Sequence, residues 1–341
     1  MNIGISGVGH YLPRQVWTNQ DLEKSLDTTD EWIFSKTGIR QRHIADPAEA
    51  TSDLALEAAR KALECAGLRP EDVDLIVLAT SSPDMIQPST AAILQGKLGA
   101  LNAVAFDVGA VCAGFVYAMV TATGMMRAFA RYRTVLVVGA ETYSRILNWH
   151  DRSTCVFFGD GAGAVVLTRS EESGYLGHYL MNDGTGWDVI KFPAGGSRTP
   201  ASPSSLENGL HEFKMDGKKV WDFAIRAMPD AVRKAAEEAG CGVNQLDLVV
   251  SHQANINIIM RGMQELGLSM DKTHTTLEHT ANTSGASIPI TLSMACQAGK
   301  VKAGDLVACV GFGGGLSWGA IIFKWLAKGC GAGKAVRHEG V

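Results

Sequence analysis

Residues 60–77, Arg-Lys-Ala-Leu-Glu-Cys-Ala-Gly-Leu-Arg-Pro-Glu-Asp-Val-Asp-Leu-Ile-Val, align without a gap on residues 233–250, Arg-Lys-Ala-Ala-Glu-Glu-Ala-Gly-Cys-Gly-Val-Asn-Gln-Leu-Asp-Leu-Val-Val, at an offset of 173. At an offset of 172, Thr134–Gly139 falls on Leu306–Gly311. A repeat of this length means that one supersecondary unit is built twice, and the two copies must bury their apolar faces against each other. Within the first copy an amphipathic run from Asp53 to Ala66, a strand at Leu75–Ala79, an apolar helix from Ala113 to about Ala130 and a strand at Val135–Val138 alternate. That alternation is the α/β pattern. The chain is expected to form two pseudo-symmetric α/β halves, residues 1–172 and 173–328, followed by a flexible tail at 329–341. The Gly-, Pro- and Ser-rich stretch Pro193–Pro203 reads as a long loop near the junction.

Composition narrows the function. Of the 341 residues 46% are hydrophobic and 19% charged, enough to bury a large core. A net charge of −4 leaves no basic field for a phosphate backbone, so no nucleic-acid partner is expected. Met1–Val8 reads as a strand rather than a leader, and no run of eighteen uninterrupted apolar residues occurs, so no membrane span is expected. The seven cysteines are odd in number, scattered and free of any CxxC pair. This argues against a disulfide framework and against a metal site, and fits a reducing cytoplasm.

Equivalent positions of two pseudo-symmetric halves meet at the dyad, and three polar residues respond to that test. Cys112 follows the strand Ala103–Val108 and opens the apolar helix; moving by 172 lands on Ser284, two residues past Asn282. His252 ends the strand Leu248–Ser251 and corresponds to the end of Leu75–Ala79. All three are expected at carboxyl ends of strands, where open α/β sheets bind ligands. Taken singly, these residues read as a small buried hydrophobe, a strand-end histidine and a helix cap. Together, a thiol, an imidazole and an amide form a nucleophile with polarisers, and the helix dipole is expected to lower the thiol pKa. The glycine-rich segments Gly159–Ala164 and Gly311–Gly319 run into strands and lack the Lys-Ser/Thr ending of a phosphate loop. A backbone N–H in such a segment can serve as an oxyanion donor.

These residues resemble a known family. Asp107-Val-Gly-Ala-Val-Cys112-Ala-Gly-Phe-Val-Tyr117, Ser251-His252-Gln-Ala-Asn255, Asn282-Thr-Ser-Gly-Ala-Ser287 and Gly311-Phe-Gly-Gly-Gly-Leu-Ser-Trp318 are similar, in order, to the nucleophile, histidine, asparagine and closing glycine motifs of the beta-ketoacyl synthase III (FabH-like) condensing enzymes of the thiolase superfamily. Tyr11-Leu-Pro13, Asp27–Trp32 and Thr37–Arg40 resemble that group's opening. The resemblance covers about residues 3–326 and implies a thiolase-like αβαβα fold. It implies a homodimer and an acyltransferase that loads an acyl group from acyl-CoA onto Cys112 and condenses it with malonyl-CoA or a malonyl carrier protein. His252 and Asn282 would hold the thioester carbonyl during decarboxylation, and the N–H groups of Cys112 and Gly314 would form the oxyanion hole. Coenzyme A contacts carried over are Thr28, Trp32, Arg152, Gly217 and Asn255, with Phe312 and Gln87 at the substrate. Coenzyme A thioesters enter as substrates, and no cofactor or metal is implied.

The departures from the family pattern carry expectations too. Asp222, Asn257, Gln264 and Glu265 stand where the family shows basic residues, which weighs against docking of an acidic carrier, although Lys218, Lys219 and Arg261 are nearby. Gln87 in Met85-Ile-Gln-Pro88 implies a short or polar acyl group. His279-Thr-Ala281 replaces an aromatic-glycine pair before Asn282. The competing readings are a non-decarboxylating acyltransferase acting on a hydroxyl or amine, and a binding subunit that has kept the fold without the chemistry.

Overall fold

The computed structural model describes residues 2–172 and 174–326, so the tail expected at 329–341 lies outside the described residues. The first half holds strands β1 (Ile3–Tyr11), β2 (Leu75–Ala79), β3 (Val104–Val108), β4 (Thr134–Glu141) and β5 (Gly161–Arg169). The second holds β6 (Tyr175–Asn182), β7 (Leu248–Ser251), β8 (Leu306–Gly313) and β9 (Ser317–Lys324). The first sheet runs β1-β5-β4-β2-β3 and the second β6-β9-β8-β7. In both, the first two pairings are antiparallel and the next is parallel. The second copy of β3 is reduced to a single parallel bridge between Val249 and Thr273. The helices of eight or more residues are α1 (Asp30–Thr37), α2 (Thr51–Ala66), α3 (Thr90–Leu98), α4 (Gly114–Ala128), α5 (Gly217–Glu238), α6 (Ile256–Leu266) and α7 (Ser287–Gln297).

Three apolar layers give the αβαβα order. Phe115, Met119 and Met126 of α4 and Ile288 and Leu292 of α7 pack between Val77 and Val137 of one sheet and Val250 and Ile321 of the other. Fully burying one such side chain stabilises the fold by roughly 1.5–3 kcal/mol. The segment Val111–Ala128 is apolar and long enough to cross a bilayer by composition, and here it is the core helix between the sheets. Leu54, Ala58 and Leu94 of α2 and α3 cover the outer face of the first sheet. Ala227, Met228, Ile259 and Met263 of α5 and α6 cover that of the second. Cys112, Cys155, Cys241, Cys296 and Cys309 are free thiols.

The structure corrects the repeat at its centre. A single helical turn, Val111–Ala113, leads into α4, and its counterpart Ser284–Ala286 leads into α7, so the local offset is 173 and not 172. Val111 and Ser284 both take φ 46. Cys112 is therefore equivalent to Gly285, and Ser284 to Val111. The dyad is tight at this point. A Cβ on Gly311 of β8 would lie 2.9 Å from Ala113 Cα and 3.3 Å from Cys112 O, and one on the equivalent Gly139 of β4 would lie 2.4 Å from Gly285 O. Each half thus presses a glycine of its central strand onto the other half's turn, which only a missing side chain permits.

Candidate active site

Cys112, His252, Asn282, Phe312 and Gly313 line one narrow cavity of about 40 Å³, walled by Tyr143, Phe158, Phe213 and Phe223. The three polar residues singled out from the repeat are therefore brought together. Cys112 and His252 follow β3 and β7 as expected. Asn282 does not follow a regular strand: it leaves a helical turn at Leu277–Thr280 and is fixed by a bridge to Phe158, its N–H bonding Phe157 O at 2.9 Å. Ala281 before it takes φ 55, ψ −164, a region that glycine favours, so a side chain at this position is strained.

Hydrogen bonds set what each polar group can offer. Asn282 Oδ1 accepts the Ser284 N–H at 2.8 Å, which leaves its amide N–H₂ as the free end. His252 Nδ1 pairs with Ser287 Oγ at 2.7 Å, and the ring meets Phe312 edge-on with centroids 5.3 Å apart. Burial pushes the His252 imidazole down to about 3, so it is neutral. Burial also pushes the Cys112 thiol up to about 12, opposed by Ser284, so the expected lowering by the helix terminus is overridden and the resting nucleophile is a thiol. The thiol must lose its proton as it attacks.

Gly313, rather than Gly314, is the glycine pressed on the nucleophile: a Cβ there would meet Cys112 Cβ at 2.7 Å and N at 3.0 Å. Gly314 is the next residue, against Val111 and Ile190. The Gly311–Gly319 segment is a hairpin between β8 and β9, paired from Leu306–Lys324 to Gly313–Ser317.

The positions carried over for coenzyme A fall into three groups. The Arg152 guanidinium lies 5.3 Å from the centroid of the exposed Trp32 ring and is held by the Asp27 carboxylate at 3.5 Å. Beside Asp27, Thr28 Oγ1 is buried with no hydrogen-bond partner, a group a ligand could satisfy. Asn255 is already engaged: its Oδ1 caps α6 through the Asn257 N–H at 2.8 Å and its amide donates to Lys36 O at 2.9 Å. Gly217 opens α5 behind the Asp216 cap, with open space where a side chain would stand. Gln87 lies exposed between β2 and α3 and does not line the Cys112 cavity of its own chain. Residue reading missed Ser284, Ser287 and Tyr143. The NTSGAS run offered the two serines as a signal; nothing marked Tyr143.

Comparison with known proteins supplies the family. The family description 3-oxoacyl-[acyl-carrier-protein (ACP)] synthase III matches residues 106–184, and its C-terminal counterpart matches 236–325. The beta-ketoacyl-[acyl-carrier-protein] synthase III of Caldanaerobacter subterraneus subsp. tengcongensis is 50% identical over 323 residues, 94% of this chain and 97% of that protein. The chain belongs to the beta-ketoacyl-[acyl-carrier-protein] synthase III family. The synthase III of Clostridioides difficile is 49% identical, covering 94% of this chain and 98% of its own. Among solved structures, the synthase III of Aquifex aeolicus VF5 superposes with a TM-score of 0.87 at 41% identity, over 95% of this chain and 100% of that one. The priming beta-ketosynthase of the R1128 polyketide pathway gives 0.89 at 34% identity, over 96% and 97%. As a synthase III, the chain is a thiolase-fold acyltransferase of the condensing type.

Proposed function

We propose that Cys112 takes an acyl group from acyl-CoA, and that the acyl-enzyme then condenses with a malonyl thioester that loses carbon dioxide. The observation that carries this is the shared cavity of Cys112, His252 and Asn282, in which Ser284 leaves the asparagine as a donor and burial keeps the imidazole neutral. Decarboxylation builds an enolate, and two prepositioned neutral donors stabilise its oxygen without any cofactor. The Cys112 and Gly314 N–H groups serve the acyl carbonyl. Trp32, Arg152 and Thr28 receive the coenzyme A nucleotide. A hydroxyl acceptor would instead need a base, and an imidazole held near 3 is a poor one.

The acceptor side follows charge. Asp222, Asn257, Gln264 and Glu265 speak against docking at the family's usual positions. One turn away, Arg226, Arg233 and Arg261 line a cleft of about 330 Å³ whose one acidic residue, Glu265, pairs with Arg261 at 2.6 Å. An acidic malonyl carrier protein finds its positive surface there. Two copies of the chain pair through β3, an edge strand of the first sheet, where Leu101 just before it and Val104 within it are exposed. Gln87 of one copy then closes the other's acyl pocket, which suits a short or polar acyl group.

Intact-protein mass after exposure to a panel of acyl-CoAs, followed by chase with malonyl-CoA or malonyl carrier protein, tests this reading. An acyl adduct on Cys112 discharged by the malonyl thioester with release of carbon dioxide is expected. An adduct discharged only by hydroxyl or amine acceptors would overturn it.

A further inference from the structure

Glu141 ends β4 and is fully buried, yet no step above uses it. By the repeat it stands where Gly313 stands in the other half, beside the turn that corresponds to the nucleophile's. Its carboxylate accepts from the hydroxyls of Thr80 (3.2 Å), Ser81 (2.9 Å) and Ser82 (2.5 Å), and from the N–H groups of Ser81 (3.0 Å), Ser82 (3.0 Å) and Gly285 (3.3 Å). Every partner donates, which is the pattern of an ionised carboxylate. Burial pulls the other way and raises its pKa, so the group is a ready proton acceptor.

From this carboxylate a line of hydroxyls leads back to the nucleophile. Because Ser81 Oγ donates to Glu141, it accepts from the Tyr143 hydroxyl 3.0 Å away. Tyr143 is in side-chain contact with Ser284, whose Oγ lies 3.4 Å from Cys112 Sγ. The Ser81 and Tyr143 protons thus point toward Glu141, and the Ser284 hydroxyl stands between that pair and the Cys112 sulfur. We propose that Ser284, Tyr143 and Ser81 form a proton relay that delivers the Cys112 thiol proton to Glu141 during acylation and returns it when product leaves.

The steps balance. In acylation the Cys112 sulfur bonds the acyl carbon, the carbon–sulfur bond to coenzyme A breaks, and coenzyme A departs as a thiolate that takes a proton from water. The thiol proton is replaced along the line, one hydroxyl proton moving at each link, and Glu141 becomes the acid. In condensation the malonyl carboxylate leaves as carbon dioxide, the enolate carbon bonds the acyl carbon, and the bond to Cys112 breaks. The cysteine thiolate then recovers its proton from Glu141 by the reverse movement. This inference rests on the proposed acylation of Cys112. The titratable groups facing the line are Cys112 and Glu141 at its ends, Tyr143 within it and His252 across the cavity.

Tyr143→Phe is the variant of choice, because the ring keeps its stack on Phe158 (4.9 Å) and its edge contact with Phe213 (5.7 Å) and loses only the hydroxyl. Ser284→Ala breaks the line one link earlier. Single-turnover acylation of each variant should slow by about a hundredfold, the lower end of what a positioned proton acceptor supplies. The slowed rate should climb with pH where the native rate is flat, and thermal melts should stay close to native. Alkylation of Cys112 by iodoacetamide, which needs no acyl substrate, should shift its pH midpoint upward in both variants. Native pH profiles for acylation and alkylation in folded Tyr143→Phe and Ser284→Ala would overturn the relay. Failure of the native protein to acylate at all, with the alkylation shift still present, would instead overturn the proposed substrate.

Discussion

Ser287 Oγ lies 2.7 Å from His252 Nδ1 and 3.4 Å from the Gln253 N–H, from which it accepts. Its own proton is then free for Nδ1, and a hydroxyl that donates there leaves the ring proton on Nε2, the nitrogen left for the cavity. A serine outside the catalytic trio thus sets which imidazole tautomer meets the substrate. Ser287→Ala should leave acylation of Cys112 near native and slow malonyl decarboxylation by roughly tenfold or more, since one oriented donor is lost. Carbon dioxide release from the preformed acyl-enzyme measures it; equal losses in both half-reactions would contradict the assignment.

Cys112→Ala should abolish the acyl adduct while the fold persists, because the side chain is small and the turn is held from both halves. Intact mass after acyl-CoA exposure checks this. A retained adduct would mean that another thiol is the nucleophile. Cys112→Gln should keep decarboxylating malonyl thioesters, as His252 and Asn282 are untouched.

Ala281 sits at φ 55, ψ −164, where a Cβ is strained by about 1–3 kcal/mol. Ala281→Gly relieves that strain and adds chain entropy to the unfolded state, which offsets up to about 1 kcal/mol of the gain. A net stabilisation of about 1 kcal/mol, with turnover unchanged, is the expected result of denaturant titration. A loss of stability would show that the strain at this position is absent.

Burial holds His252 down to about 3 and His10 down to about 4, from an ordinary 6.5. Both are neutral in the fold and take up protons only on unfolding below 6.5, so their contribution is complete above that pH and is lost as pH falls toward 4. At pH 5 each should cost about 2 kcal/mol of stability relative to pH 7.5. Denaturant titrations at the two pH values test this, and His10→Gln should remove about half of the slope assigned to the pair.

Light scattering at low micromolar concentration should give about twice the 36.3 kDa of one chain. A mass of one chain would remove the partner's Gln87 from the acyl pocket and with it the argument for a short or polar acyl group.

Much of this could be read from the sequence because a duplication repeats its own evidence. β2 and β7 were placed to the residue, since each is a short apolar run followed by a polar residue at the same step of the repeat. Cys112 and His252 followed from strand ends. The one-residue slip at the turn was hidden, because Ser284 resembles Cys112 in size and polarity while its true counterpart, Gly285, has no side chain to compare. Asn282 was found by motif although its support, a bridge to Phe158, links positions 124 residues apart. Ser287, Tyr143 and Glu141 matter through three-dimensional hydrogen bonds, and no periodicity reports those. The rim charges were legible one by one, but the cleft that gathers Arg226, Arg233 and Arg261 requires α5 and α6 to be packed first.

Gly311 resting on Cys112 and Gly139 resting on Gly285 also means that neither half owns the reaction centre. Each supplies the floor beneath the other's turn, so the nucleophile behaves as a gauge of how well the two sheets are seated. A substitution that lets the halves part by a fraction of an ångström, even deep among the side chains of α4 and α7, would register first as a change in the reactivity of Cys112, well before the protein lost enough stability to unfold.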